Sequence, residues 1–124
     1  MTDLDKLIAA VEASDAEFLA SDDWIEAWDA VAPSLQTYRM KSDGESAAII
    51  SYAAYNGSLD AALRLHEALL PGWELTHMGQ HEAGWMVAVA RLGPPTRHEG
   101  GHPTTPARAW LLAILRVLKA KGDA

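Results

Sequence analysis

Five histidines fall between His66 and His102, and two pairs among them, His77 with His81 and His98 with His102, are spaced by four. On one face of a helix such a pair can hold zinc, each imidazole giving one nitrogen lone pair. Neither pair lies in a helical pattern. The first straddles the end of a strand-like alternation, and the second lies among Gly and Pro, so both read as solvated or packed histidines and no metal site is assigned. The run Arg97, His98, Glu99, His102, broken by Gly100 and Gly101, gathers a cation, a base and an acid, the composition of a small-anion or hydrolytic loop. His66 is the remaining candidate. It sits in an apolar helical stripe ahead of Glu67, and a buried imidazole needs partners for both nitrogens. Its structural reading is a boundary histidine bonded to backbone or to a Trp or Tyr; its functional reading is acid–base catalysis.

The absence of cysteine excludes disulfides, thiolate nucleophiles and Cys-based metal centres. No Walker loop, dinucleotide fingerprint, nucleophile elbow or H-E-x-x-H occurs, so the reading leans away from an enzyme and no cofactor is expected. Asp22, Asp23, Glu26 and Asp29 fall in the first turns of a helix, where the dipole favours acids. Trp24, Trp28, Trp73, Trp85 and Trp110 read as core rather than base-stacking platforms.

A net charge of −7 argues against broad nucleic-acid binding. The charge is uneven: residues 1–31 hold nine acids against Lys6, while residues 91–124 hold six basic residues against Glu99 and Asp123. Opposite ends of this kind suit two faces of one domain that lie near each other. The length of 124 residues fits a single domain over 1–124. No apolar run approaches a membrane span, and the acidic start MTDLDKLIAAVEASD lacks the basic region of a secretory signal. A cytoplasmic protein is expected.

Thr2 caps a first helix through Leu4, Leu7, Ile8 and Val11 that ends between Ser14 and Leu19. Ser21 starts a second, with Trp24, Ile25, Trp28 and Val31 on one stripe, stopped by Pro33. Residues 33–41 alternate as a short strand. Ser42 and Glu45 form a capping-box pattern before a helix from Ala47 to Tyr55, which ends at Asn56-Gly57. Ser58 caps the next helix, whose expected buried stripe is Leu59, Ala62, Leu63, His66, Leu69 and Leu70. Pro71-Gly72 ends it, and strands at Trp73–Met78 and Trp85–Leu92 form a hairpin across a Gly79–Gly84 loop. The thirteen residues from Gly93 to Thr105 read as a mobile loop. Thr105 and Pro106 then open a last helix with Trp110, Leu111, Ile114, Leu115 and Leu118 buried and Arg108, Arg116, Lys119 and Lys121 outside. A hairpin alone is marginal, so further strands are expected from residues 33–41 or a second subunit.

The segments SLDAALRLHEALLPGWEL, GWMVAVARL and TPARAWLLAILRVL, with the opening LDKLIAAVEA, resemble the phage ABA sandwich family of small phage and prophage proteins. The resemblance spans about residues 58–120 and implies an α/β (α+β) fold: a helix–sheet–helix sandwich around a central antiparallel hairpin. It brings no catalytic motif, and the helical insertion at about 21–55 departs from the short linker the family would have there. The resulting expectation is a phage- or prophage-encoded accessory protein in the bacterial host cytoplasm, acting by protein–protein contact or self-association. Its surface is expected at the 93–105 loop, with Arg97, His98 and His102, and at the Trp24/Trp28 helix. The alternatives are a small-ligand or hydrolytic enzyme using His98, Glu99 and His102, and nucleic-acid binding through the basic C-terminal helix.

Overall fold

The computed structural model describes residues 2–33, 46–91 and 96–123, with side chains through residue 121. Helix α1 (Asp3–Ala13) begins at a complete capping box: the Thr2 hydroxyl accepts from the Asp5 N–H at 3.1 Å, and the Asp5 carboxylate accepts from the Thr2 N–H at 3.3 Å. It stops at Ser14, in the left-handed conformation at φ 54°, and the one-turn α2 (Ala16–Leu19) follows. Helix α3 (Asp22–Val31) starts after Ser21, whose hydroxyl donates to the Phe18 carbonyl instead of capping. Ser46 caps α4 (Ala47–Tyr55), and Ser58 caps α5 (Leu59–Leu69), each hydroxyl accepting an N–H three residues on. The expected strand at 33–41 and the Ser42/Glu45 box lie almost wholly outside the described residues.

After α5 the turn Pro71-Gly72, with Gly72 at φ 86°, leads into β1 (Trp73–His81). Its antiparallel partner β2 (Gly84–Arg91) pairs out to His81 opposite Gly84, so the turn is only Glu82-Ala83 and the Gly79–Gly84 loop is replaced by continued ladder. A bulge lies between Leu75 and His77. The larger correction concerns the expected mobile loop: Thr96–His102 is β3, paired antiparallel to β2 from Thr96 opposite Arg91 to His102 opposite Trp85. Among the described residues the sheet is therefore three-stranded, in the order β1-β2-β3, with Thr96–His102 as its third strand. Polar residues and two glycines masked this strand, because its stability comes from the β2 ladder and from packing rather than from β-propensity.

Helix α6 (Pro106–Asp123) lies across the sheet, chiefly on β3 and β2, while α1, α4 and α5 pack against α6, and α3 rests on α1 and α4. The class is α+β, as expected. The layers run sheet, α6, outer helices, so α6 is the covered middle layer. That position buries Ala107, Ala109, the run Trp110 to Leu115 and Val117, a wider arc than the expected stripe. Gly100 permits the closest approach: a Cβ there would collide with the Ala109 carbonyl and the Ala113 N–H. On α5 the buried set is Ala61, Ala62, Leu65 and His66, whereas Leu59 and Leu63 face solvent. The arc is rotated because α5 must contact α4 and α6 together. Among the described residues no helix is long and apolar enough to cross a membrane.

Candidate functional site

The alternation of β3 separates the residues that the loop reading had grouped. Across β2, His98 opposes Val89, Gly100 opposes Val87 and His102 opposes Trp85, on the side where α6 lies; Arg97, Glu99 and Gly101 take the other side. Arg97 and Glu99 form an exposed ion pair at 3.1 Å. His98 is half-buried, its ring 5.8 Å from that of Trp73. A catalytic group of His98, Glu99 and His102 is therefore not assembled: the strand places the acid on the opposite face from both histidines.

His102 and His66 are both buried, and both rings are committed to the fold. The Thr104 N–H donates to His102 Nδ1 at 3.2 Å, so the ring proton is on Nε2, which donates to the Val11 carbonyl at 3.0 Å. Burial, partly opposed by that bond, and the nearby Arg108 charge hold its pKa below the ordinary histidine value. His66 repeats the pattern: the Trp110 indole N–H donates to Nδ1 at 3.1 Å and Nε2 donates to the Trp73 carbonyl at 2.8 Å. Each ring ties the end of a strand to helices, and neither offers a nitrogen for proton transfer.

Arg108, Arg116 and Lys119 of the C-terminal helix find partners within the chain while remaining at its surface. Arg108 lies over the Tyr55 ring and donates through Nε to the Tyr55 carbonyl at 2.6 Å, satisfying the end of α4. Arg116 donates to the Glu99 carbonyl at 2.7 Å and pairs with Glu12 at 3.2 Å, and Lys119 meets Asp5 at 2.7 Å. The opposite charges of the two chain ends meet across α1 and α6, so Arg116 and Lys119 are each paired with an acid of α1, while Lys121 is exposed.

Trp24 and Trp28, expected on an interaction surface, are core residues at 2% and 0% exposure. Their rings meet edge to face at 6.0 Å, and the Trp24 indole N–H donates to the Ala48 carbonyl at 3.0 Å, locking α3 onto α4. The surface of the insertion lies beside them. Leu19, Trp24, Ile25, Ala48, Ile49 and Tyr52 line a groove of about 380 Å³ between α2, α3 and α4. Ile25, Ile49 and Tyr52 are 37%, 52% and 44% exposed in it, while exposed Asp22, Asp23 and Glu26 stand on α3. The missed signal was AAIISYAAY: a helix apolar around its whole circumference has more apolar surface than one core contact uses.

His77 and His81 lie exposed on the sheet face away from α6, with their Nε2 atoms 3.3 Å apart. Among the described residues no three His, Cys, Asp or Glu side chains converge as a metal-binding group. No family model matches the chain, and neither a curated protein nor a solved structure shows significant similarity to it.

Proposed function

We propose that this protein is a phage- or prophage-encoded accessory module of the bacterial host cytoplasm that acts by protein–protein contact through the α2–α3–α4 groove. The observation that carries the contact is the exposed trio Ile25, Ile49 and Tyr52 around that groove. Soluble surfaces seldom leave such residues contiguous unless something docks on them. The acids on α3 select the partner's chemistry: an amphipathic helix with apolar anchors at i, i+3 and i+4 and basic flanks complements both parts of the site. The phage attribution rests on the resemblance of the segments SLDAALRLHEALLPGWEL, GWMVAVARL and TPARAWLLAILRVL. With His98, Glu99 and His102 split between two sheet faces and Arg108, Arg116 and Lys119 engaged internally, contact is favoured over hydrolysis or nucleic-acid binding.

The test uses Ile49→Asp and Tyr52→Asp beside Leu75→Asp, an equally exposed position elsewhere. A partner crosslinked to the native chain in host cells is expected to be lost in the groove variants, by about tenfold or more in affinity, and kept by Leu75→Asp. If both groove variants keep every partner and the same oligomeric mass, the groove is not the contact surface. Dispersal of a homo-oligomer by these variants would identify the partner as a second copy.

A further inference from the structure

We propose that His77 and His81 form a two-histidine site for a borderline divalent transition-metal ion on the open face of the sheet. The two residues are four apart on β1, and a straight strand would hold their Cα atoms roughly 13 Å apart. Their rings nevertheless converge, with centroids at 5.5 Å and Nε2 atoms at 3.3 Å. The space that lets them meet is supplied by Gly79: a Cβ on Gly79 would stand 3.0 Å from His77 Nε2 and 3.8 Å from His81 Nε2. A Cβ there would crowd the His77 ring, and a branched side chain would compete for the space the two imidazoles share.

The separation suits a shared ion. Two nitrogens each bound at about 2.0–2.1 Å to a tetrahedral centre lie roughly 3.3–3.4 Å from one another. With both Nε2 lone pairs on the metal, the ring protons move to Nδ1, and both rings are exposed enough for those N–H groups to reach water. Imidazole donors favour Cu²⁺ and Zn²⁺ among available ions, Cu²⁺ binding more tightly. Among the described residues no third His, Cys, Asp or Glu joins the pair, so the remaining positions are open to water or to an external ligand. His66 and His102 cannot compete, because their nitrogens are committed inside the fold.

Titration of the full chain with Cu²⁺ alone and with Zn²⁺ alone, by calorimetry and by the nitrogen couplings of the Cu²⁺ spectrum, tests the site. One saturable site with two nitrogen ligands is expected. Either His77→Ala or His81→Ala should weaken it on the order of 100-fold by removing the second, intramolecular donor. Gly79→Val should weaken it with both histidines present, while His98→Ala leaves it unchanged. All are read against circular dichroism showing the native fold. Acidification should weaken binding, since protons compete for the same lone pairs. Native protein that binds no more tightly than the His77→Ala/His81→Ala variant, or a Gly79→Val variant with undiminished affinity, would overturn the proposal.

Discussion

Trp110 donates its indole N–H to Nδ1 of His66 at 3.1 Å, joining α6 to α5 through a ring whose other nitrogen holds the Trp73 carbonyl at the start of β1. Three elements meet at this one imidazole. Replacing it by an apolar side chain of similar size leaves a buried indole donor and a backbone acceptor unpaired. His66→Leu should therefore lower stability by about 1–3 kcal/mol, read as a reduced urea midpoint at unchanged slope. A midpoint equal to that of the native protein would show that the ring is not a clamp.

Gly100 and Gly101 are adjacent on β3 yet should respond oppositely. A Cβ on Gly100 enters the backbone of α6 at Ala109 and Ala113, whereas one on Gly101 meets only the Trp85 carbonyl at 3.6 Å. Gly100→Ala should cost about 3 kcal/mol, the upper end for overpacking. Gly101→Ala should stay within about 0.5 kcal/mol of the native protein. Equal thermal midpoints for the two variants would contradict the contact between β3 and α6.

Stability should fall in two stages on acidification. His102 has a folded pKa below its ordinary value of 6.5, so its contribution is complete above pH 6.5 and is lost as pH falls below that, where the unfolded chain takes up the proton first. Asp5 is held at about 2 against 3.8, chiefly by Lys119 and then by Thr2, so its contribution is present above pH 3.8 and is lost as pH falls toward 2. Denaturant titrations from pH 8 to pH 2 should show a decline that begins near pH 6.5 and flattens in His102→Gln. The later decline should shrink in Asp5→Asn.

Trp24 and Trp28 should also part company. The Trp24 N–H bonds to the Ala48 carbonyl, while among the described residues the Trp28 N–H is the one buried side-chain donor without an acceptor. Trp24→Phe loses a hydrogen bond along with volume, whereas Trp28→Phe removes a donor whose desolvation is uncompensated. Trp28→Phe should be the milder change by about 1 kcal/mol. Chemical denaturation of the two variants decides this, and a larger cost at Trp28 would mean that its N–H is satisfied.

Much of the architecture was legible in local signals. Thr2 with Asp5, Ser58 and Thr105 mark helix starts through their hydroxyls, and Pro71-Gly72 marks the turn into β1. The candidate site was less legible. Trp24 and Trp28 were visible as a stripe, but a stripe does not say whether its helix turns that side inward or outward. Ile49 and Tyr52, which border the groove, gave no periodic signal because every face of α4 is apolar.

Local signals along the chain suffice for the longer helices, the β1–β2 hairpin and the α+β class, because capping groups, proline, glycine and hydrophobic period act within a few residues of chain. Long-range packing makes Thr96–His102 a strand, puts α6 in the middle layer and sets the basic helix against the acidic one. It also decided that His66 and His102 are fastened while His77 and His81 meet above Gly79. Those outcomes depend on partners far away along the chain: β2 for β3, Val11 for His102 and Asp5 for Lys119. A ladder bond, a buried imidazole or an ion pair is chosen by what lies across from it, and that is settled only when the chain closes on itself.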